Sequence, residues 1–135
     1  PKSIGNSVTL PNDLKNIDEI NQIVVALCEQ VSYRLRHYNL VASTVNVQLR
    51  NKDFIDHSHQ KHLNFQTAST KEIIETAKEV LKEMYNGEAI RLVGVRVDNL
   101  QNKEEAQISF FTKESEEKQE KIDTVLDSLY KRYVM

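Results

Sequence analysis

Hydrophobic residues recur along this chain at two spacings, which together predict four strands and two helices in the order βαββαβ. The three-and-four spacing of a helix follows Asn16 as far as Asn39, and it returns from Ser69 to Asn86-Gly87. We therefore predict an α+β fold, in which a four-stranded antiparallel sheet carries both helices on one face. The strands, marked by two-residue alternation, are predicted at Ser3 to Leu10, Thr44 to Arg50, about His59 to Gln66, and Ala89 to Asp98.

Short polar motifs predict where these elements begin and end. Asn16 with Glu19, and Ser69 with Glu72, have the spacing of capping boxes, and Asn86-Gly87 tolerates the left-handed backbone of a helix end. Pro11-Asn12-Asp13 is expected to end the first strand. The buried helix stripes are predicted to be Ile17, Ile20, Val24, Leu27, Val31, Leu35 and Tyr38, then Ile73, Ala77, Val80, Leu81 and Met84.

The strands have one apolar and one polar face. Val45, Val47, Leu49, Leu63, Phe65, Val93, Val95 and Val97 are predicted to face the helices. Hydroxyl, amide and guanidinium groups on the opposite face could donate to phosphate oxygens, and the alternative is a solvated sheet face. Gly5 and Gly94 either let a ligand approach the main chain or serve packing. The polar face comprises Thr44, Asn46, Gln48, Arg50, Gln60, His62, Asn64 and Arg96.

The net charge of −2 over 135 residues is unusual for a nucleic-acid-binding protein, so the distribution of charge matters more than its sum. Of the acids before Asn99, only Asp53, Asp56 and Asp98 lie away from the predicted helices. We therefore expect the helices to carry the negative charge and the polar sheet face to be nearly free of it.

Composition excludes several classes of protein. No apolar run is long enough to span a bilayer, and the single Cys28, set among apolar residues, fits a buried side chain in a reducing cytosol. The opening Pro1-Lys2 suggests a domain excised from a longer protein.

His57, His59 and His62 raise the alternative of a zinc site, but strand alternation places His59 and His62 on opposite faces. We see no catalytic constellation and predict no metal, cofactor or active site within these residues.

The composition changes after Leu100. We assign residues 1–100 to the sheet domain and residues 101–135 to a tail, which is charge-rich and ends in an amphipathic helix at about 116–134. The tail contains a glutamine followed by apolar residues, a pattern that can dock as an extended segment into a hydrophobic pocket: Gln107, Ile108, Ser109, Phe110 and Phe111.

Five ordered runs carry a resemblance to a known family: KSIGNSVTLP, RLRHYNLVASTV, LRNKDF, Ser58-His59-Gln60 and AIRLVGVRVDNL. Together they resemble the little finger domain of the Y-family translesion DNA polymerases (the ImpB/MucB/SamB family), most closely that of bacterial DNA polymerase IV. The sequence departs from the family at His59, where an arginine is frequent, and at Gln66 and Ala68, which replace usual prolines. The resemblance implies that primer–template phosphates are contacted by Ser3, Gly5, Asn6, Ser7, Arg50, Ser58, Gln60 and Arg96.

The same resemblance implies partners and a parent enzyme. The segment from Gln107 to Phe111 is similar to the peptide with which bacterial polymerases bind the β sliding clamp. The parent would be an error-prone polymerase of the bacterial cytoplasm, active in DNA repair and the SOS response, with Mg²⁺ in a palm domain outside these residues. This segment alone is expected to be inactive. Two alternatives are a UmuC-like polymerase of the same superfamily and a stand-alone βαββαβ module that binds nucleic acid or regulates.

Overall fold

The computed structural model describes the backbone of residues 3–134 and the side chains of residues 3–129, and it confirms the predicted α+β order. Interresidue contacts divide the chain into a body that ends at Asn102 and a tail that begins at Lys103. The elements are β1 (Ser3–Leu14), α1 (Ile17–His37), β2 (Leu40–Asn51), β3 (Asp56–Thr67), α2 (Thr70–Met84), β4 (Ile90–Asp98), β5 (Gln101–Asn102) and α3 (Lys103–Val134).

The strands form an antiparallel sheet in the order β1-β4-β2-β3, so β4 and β2 are central and β1 and β3 are the edges. The two-residue β5, which strand alternation did not predict, pairs with Leu40 and Val41 at the start of β2. The order of the strands brings the first and last long strands of the chain together. Antiparallel pairing places directly paired residues on the same face, and this register defines the two faces of the sheet.

The hydrophobic core lies between one face of the sheet and the two helices α1 and α2. The strand contribution is the predicted one, since Val45 and Val47 of β2 and Val93, Val95 and Val97 of β4 are all buried. The helices contribute the predicted stripes: Ile20, Val24, Leu27, Val31 and Leu35 from α1, and Ile73, Ala77, Val80 and Leu81 from α2. Cys28 lies in this core, as predicted.

Both helices begin at the predicted residues. The Asn16 side chain accepts from the backbone N–H groups of Asp18 at 2.7 Å and Glu19 at 3.4 Å, which satisfies donors that the first turn leaves unpaired. The Ser69 side chain likewise accepts a hydrogen bond from the backbone N–H of Glu72, at 3.3 Å, at the start of α2. After α2, Gly87 has a φ of +92°, a conformation that L side chains rarely adopt.

The assignment of Tyr38 to the buried stripe of α1 was wrong. Tyr38 is the C-cap residue and is exposed, because the helix ends at His37 and Asn39 enters the left-handed region with a φ of 56°. The ring of Tyr38 makes an edge contact with that of His37 instead of reaching the core.

Two strand predictions also need correction, both where pairing is irregular. β1 continues through Pro11 to Leu14, with a register shift after Thr9, and as an edge strand it tolerates the missing N–H of proline. In β3 the register shifts between the pairs of Ala42 and Thr44, and Phe65 falls within the shifted stretch. Simple alternation fails there, so Phe65 is 63% exposed, whereas Leu63 packs against the core as predicted.

The tail consists of one helix, α3, which begins at Lys103 rather than near residue 116. Glu104 and Glu105 occupy the first turn, where negative charge is favourable to the helix dipole. The predicted amphipathic stripe is Ile122, Val125, Leu126, Leu129 and Tyr133; the first four are exposed, and the side chain of Tyr133 lies outside the described residues. Among the helices described, none has a stretch long and apolar enough to cross a membrane.

Candidate nucleic-acid interface

The face of the sheet opposite the helices, here called the open face, is crossed by four rows of residues in register. Each row contains four residues, one from each of the strands β1, β4, β2 and β3, in that order. The rows are Thr9–Leu92–Arg50–Asp56, Ser7–Gly94–Gln48–Ser58, Gly5–Arg96–Asn46–Gln60, and Ser3–Asp98–Thr44–His62.

The open face contains seven of the eight residues that the resemblance assigns to DNA contact: Ser3, Gly5, Ser7, Arg50, Ser58, Gln60 and Arg96. The serines and Gln60 are exposed, and their hydroxyl and amide groups are hydrogen-bond donors. The fold therefore brings residues from all four long strands onto one accessible surface.

Asn6, the eighth residue, lies on the helix side of the sheet. It pairs with Val95, whose side chain is in the core, and its Nδ2 donates to Gln30 Oε1 at 2.8 Å. Arg34 of α1 donates from Nη1 to Asn6 Oδ1 at 2.7 Å and to the Gly5 carbonyl at 3.0 Å. The side chain of Asn6 thus ties edge strand β1 to α1 and is directed away from the open face.

Two polar residues of β2 that sequence alternation placed on the open face are buried there. Thr44 is 1% exposed and Asn46 is 7% exposed. Thr44 Oγ1 accepts from Asn99 Nδ2 at 2.7 Å and is 2.9 Å from His62 Nδ1. Because neighbouring side chains cover them, Thr44 and Asn46 are part of the scaffold beneath the surface.

The glycines of the open face make room for neighbouring side chains. A Cβ added to Gly5 would lie 3.1 Å from the Arg96 Cβ and 3.2 Å from its Cγ, so the stem of Arg96 lies across Gly5. A Cβ on Gly94 would lie 3.3 Å from the Ser7 Cβ. These distances support the packing interpretation of the two glycines.

Both arginines of the open face are paired with aspartates. Arg50 donates from Nε to Asp56 Oδ1 at 2.7 Å and from Nη2 to Oδ2 at 3.2 Å. Arg96 donates from Nε to both carboxylate oxygens of Asp98, at 3.0 and 3.2 Å. The hydrogen bond from Arg50 holds the pKa of Asp56 below its ordinary value, and that of Arg50 is raised by the same contact.

The expectation that this face is nearly free of negative charge was therefore wrong. The formal charges of the two arginines and the two aspartates sum to zero within the four rows. A sequence signal for both pairs existed. Arg96 and Asp98 are two apart on one strand and so share a face, and Arg50 and Asp56 flank the short β2–β3 connection.

The histidines are separated by the sheet. His57 and His59 pair with Leu49 and Val47 on the helix side, whereas His62 pairs with Thr44 on the open face. Among the residues described, no group of three or more histidine, cysteine or acidic side chains could hold a metal ion. The placement of His59 and His62 on opposite faces agrees with the strand alternation that argued against a zinc site.

The tail motif, from Gln107 to Phe111, lies within helix α3 and is not extended. Helical spacing places Gln107 and Phe111 on the same side, one turn apart. Ile108 and Phe111 are about two-thirds exposed, at 67% and 66%, and the rings of Phe110 and Phe111 meet edge to face with centroids 6.3 Å apart. In this conformation the apolar side chains of the motif are accessible to a partner.

Comparison with known proteins identifies relatives over nearly the whole chain. The profile of the impB/mucB/samB family C-terminal domain matches residues 1–110. DNA polymerase IV of Clostridium acetobutylicum is 39% identical over 132 residues, which cover 98% of this chain and 33% of that protein. DNA polymerase IV of Oceanobacillus iheyensis is 32% identical over 134 residues, covering 98% and 32%. The chain thus spans about a third of the length of these curated relatives.

Solved structures show the same fold. A chain in the complex of beta-clamp processivity factor and little finger domain of PolIV matches with a TM-score of 0.59 at 23% identity, covering 71% of this chain and 86% of that one. A chain in the post-insertion binary complex of Dbh DNA polymerase matches with a TM-score of 0.64 at 19% identity, covering 72% and 28%. The predicted fold class is thereby confirmed.

Proposed function

The chain belongs to the impB/mucB/samB family C-terminal domain, the little finger domain of the Y-family DNA polymerases, and we propose that it holds DNA for a translesion polymerase. The parent enzyme, a DNA polymerase IV of the bacterial cytoplasm, would add nucleotides opposite damaged template bases. Mg²⁺ would act in its palm domain, which supplies the catalytic groups. This chain would then contribute binding and no chemistry.

The observation that carries this proposal is the open face itself. Its side chains offer hydroxyl, amide and guanidinium donors, and helices α1 and α2 lie on the other side, where they do not obstruct a duplex. Such donors suit phosphate oxygens, which are the same at every base pair. We therefore expect binding that is indifferent to sequence and sensitive to salt.

Fluorescence anisotropy of a labelled primer–template DNA, titrated with this protein over a salt series, tests the proposal. Replacing Arg50 or Arg96 with alanine should weaken binding and reduce the slope of log K against log salt by up to about 0.9 for each phosphate that is no longer neutralised. Arg91→Ala is the matched control, because Arg91 lies on β4 outside the four rows, with its guanidinium 4.4 Å from the centroid of the Phe54 ring. The control should leave the slope unchanged.

The proposal fails if the unaltered protein does not bind primer–template DNA at low salt. It also fails if Arg91→Ala has the same effect as the substitutions on the open face. A preference for one DNA sequence would indicate that base edges are read, against the phosphate mode proposed.

We further propose that the tail tethers the polymerase to the β sliding clamp through Gln107, Ile108, Ser109, Phe110 and Phe111. The exposure of Ile108 and Phe111 supports the proposal, since apolar anchors must be accessible to enter a pocket. The solved complex that pairs a little finger domain of PolIV with a beta-clamp processivity factor is a precedent in the same fold. Two weak attachments on one chain, to DNA and to the clamp, would each raise the effective concentration of the other.

Surface plasmon resonance with an immobilised bacterial β clamp tests the tether. The double variant Gln107→Ala/Phe111→Ala should lose binding, because it removes the glutamine anchor and one apolar anchor. Ile122→Ala/Leu126→Ala removes exposed apolar residues elsewhere on α3 and should bind normally. Equal loss in both variants would indicate that the amphipathic stripe, and not the motif, is the binding element.

A further inference from the structure

We propose that Asp56 and Asp98 compete with phosphate for Arg50 and Arg96, and so keep the affinity of the open face for DNA below what its arginines alone would give. This inference rests on the proposed DNA-holding function and deepens it. It assigns a role to two carboxylates that lie on the binding surface itself, where phosphate would meet them.

The Arg50–Asp56 pair occupies one edge of the guanidinium fork. The two residues are directly opposite in register, and Nε and Nη2 of Arg50 each donate to a different oxygen of Asp56. This two-point geometry is also the one by which arginine grips a phosphate. A phosphate that takes the same edge must displace the carboxylate, and one that binds Nη1 must lie beside its negative charge.

The Arg96–Asp98 pair is built differently. The two residues lie two apart on β4, and Nε of Arg96 is shared between both oxygens of the carboxylate. Asp98 is less exposed than Arg96, with side-chain exposures of 23% and 50%. The aspartate therefore stays in place beside the arginine while the rest of the guanidinium remains open to a ligand.

Fold stability does not account for the two pairs. Ion pairs between solvent-accessible side chains contribute little to stability, and Arg50, Asp56 and Arg96 are all at least about one-third exposed. The pairs do lie on the one surface where a polyanion is proposed to bind, and they cancel its formal charge. Their main energetic effect is thus expected in DNA binding.

The test is anisotropy of the same primer–template probe with Asp56→Asn, Asp98→Asn and the double variant. Each single substitution should tighten binding about 3- to 10-fold at low salt, and the slope of log K against log salt should steepen by up to about 0.9 for each additional phosphate that is neutralised. Glu75→Gln makes the same change in net charge on the exposed side of α2, behind the sheet, and should have no such effect. Thermal melts of every variant should match the unaltered protein.

Three results would overturn the inference and leave the proposed DNA-holding function intact. If the variants bind no tighter than the unaltered protein, the aspartates do not compete with phosphate. If they bind more weakly, the aspartates orient the arginines for contact. If Glu75→Gln gives the same gain, the effect is one of net charge and not of the open face. A complete lack of binding by all proteins, variants included, would instead refute the proposed DNA-holding function, and the inference with it.

Discussion

The buried hydroxyl of Thr44 gives a sharp test of which polar residues of the sheet support the fold and which meet a ligand. Thr44→Val keeps the shape of the side chain and removes Oγ1, the partner of Asn99 Nδ2 and His62 Nδ1. Asn99 has a left-handed φ of 58°, and its side chain would lose the hydrogen bond to Thr44. Removal of the hydroxyl should therefore destabilise the body.

The size of the effect follows from the surroundings of the hydroxyl. The substitution removes two hydrogen bonds, worth about 1 kcal/mol each. Part of this loss is offset, because His62 and Asn99 are exposed and can bond to water instead. Burial of the new valine methyl group offsets a further part. We expect a net loss of about 1 kcal/mol, which lowers the Tm of a domain of this size by about 4–8 °C. The affinity for primer–template DNA should not change, since Thr44 is only 1% exposed.

Differential scanning calorimetry measures the first effect and DNA anisotropy the second. Thr9→Val is the control, because it makes the same chemical change at an exposed position of the open face and should shift stability by less than about 0.5 kcal/mol. The reasoning is refuted if Thr44→Val melts within about 1 °C of the unaltered protein. It is refuted equally if DNA binding weakens while the Tm is unchanged.

Two further predictions concern the body. Asn16→Ala should lower the free energy of unfolding by about 1 kcal/mol in urea titrations, because the N-cap of α1 is lost. Asn16→Asp, which keeps a capping oxygen, should retain most of that stability. Equal losses in the two variants would contradict the capping role. Burial, with a smaller contribution from the charge of Glu29, raises the pKa of the Cys28 thiol to about 12, so almost no thiolate exists at pH 8. Mass spectrometry should show that iodoacetamide labels Cys28 in urea and not in the native protein, and rapid native labelling would indicate that the core opens readily.

Local patterns along the chain were sufficient to predict the order of the elements, most of the buried positions and the polar character of one sheet face. These follow from local rules: alternation along a strand, three-and-four spacing along a helix, and side chains such as Asn16 and Ser69 that bond the first turn of a helix. The resemblance to the little finger family added the residues proposed to meet DNA.

Which polar residues of the sheet are accessible to a ligand depends on how the strands pack side by side. Strand alternation places Thr44 and Arg50 on the same side of β2. Thr44 is buried and Arg50 is accessible because the neighbouring strands cover the two positions differently. The resemblance likewise grouped Asn6 with Ser7, whereas the register directs Asn6 to α1. Burial depends on residues distant in sequence, so local pattern could not assign these roles.

The register also fixed the electrostatics of the open face. Asp56 meets Arg50 because β2 and β3 pair without offset at that point, and a shift of one residue would send the carboxylate to the helix side. The local sequence determined that the chain makes a two-layer fold with a polar face. The pairing of its strands determined that Asp56 of β3 lies directly opposite Arg50 of β2, whereas Arg96 and Asp98 are neighbours along β4 itself.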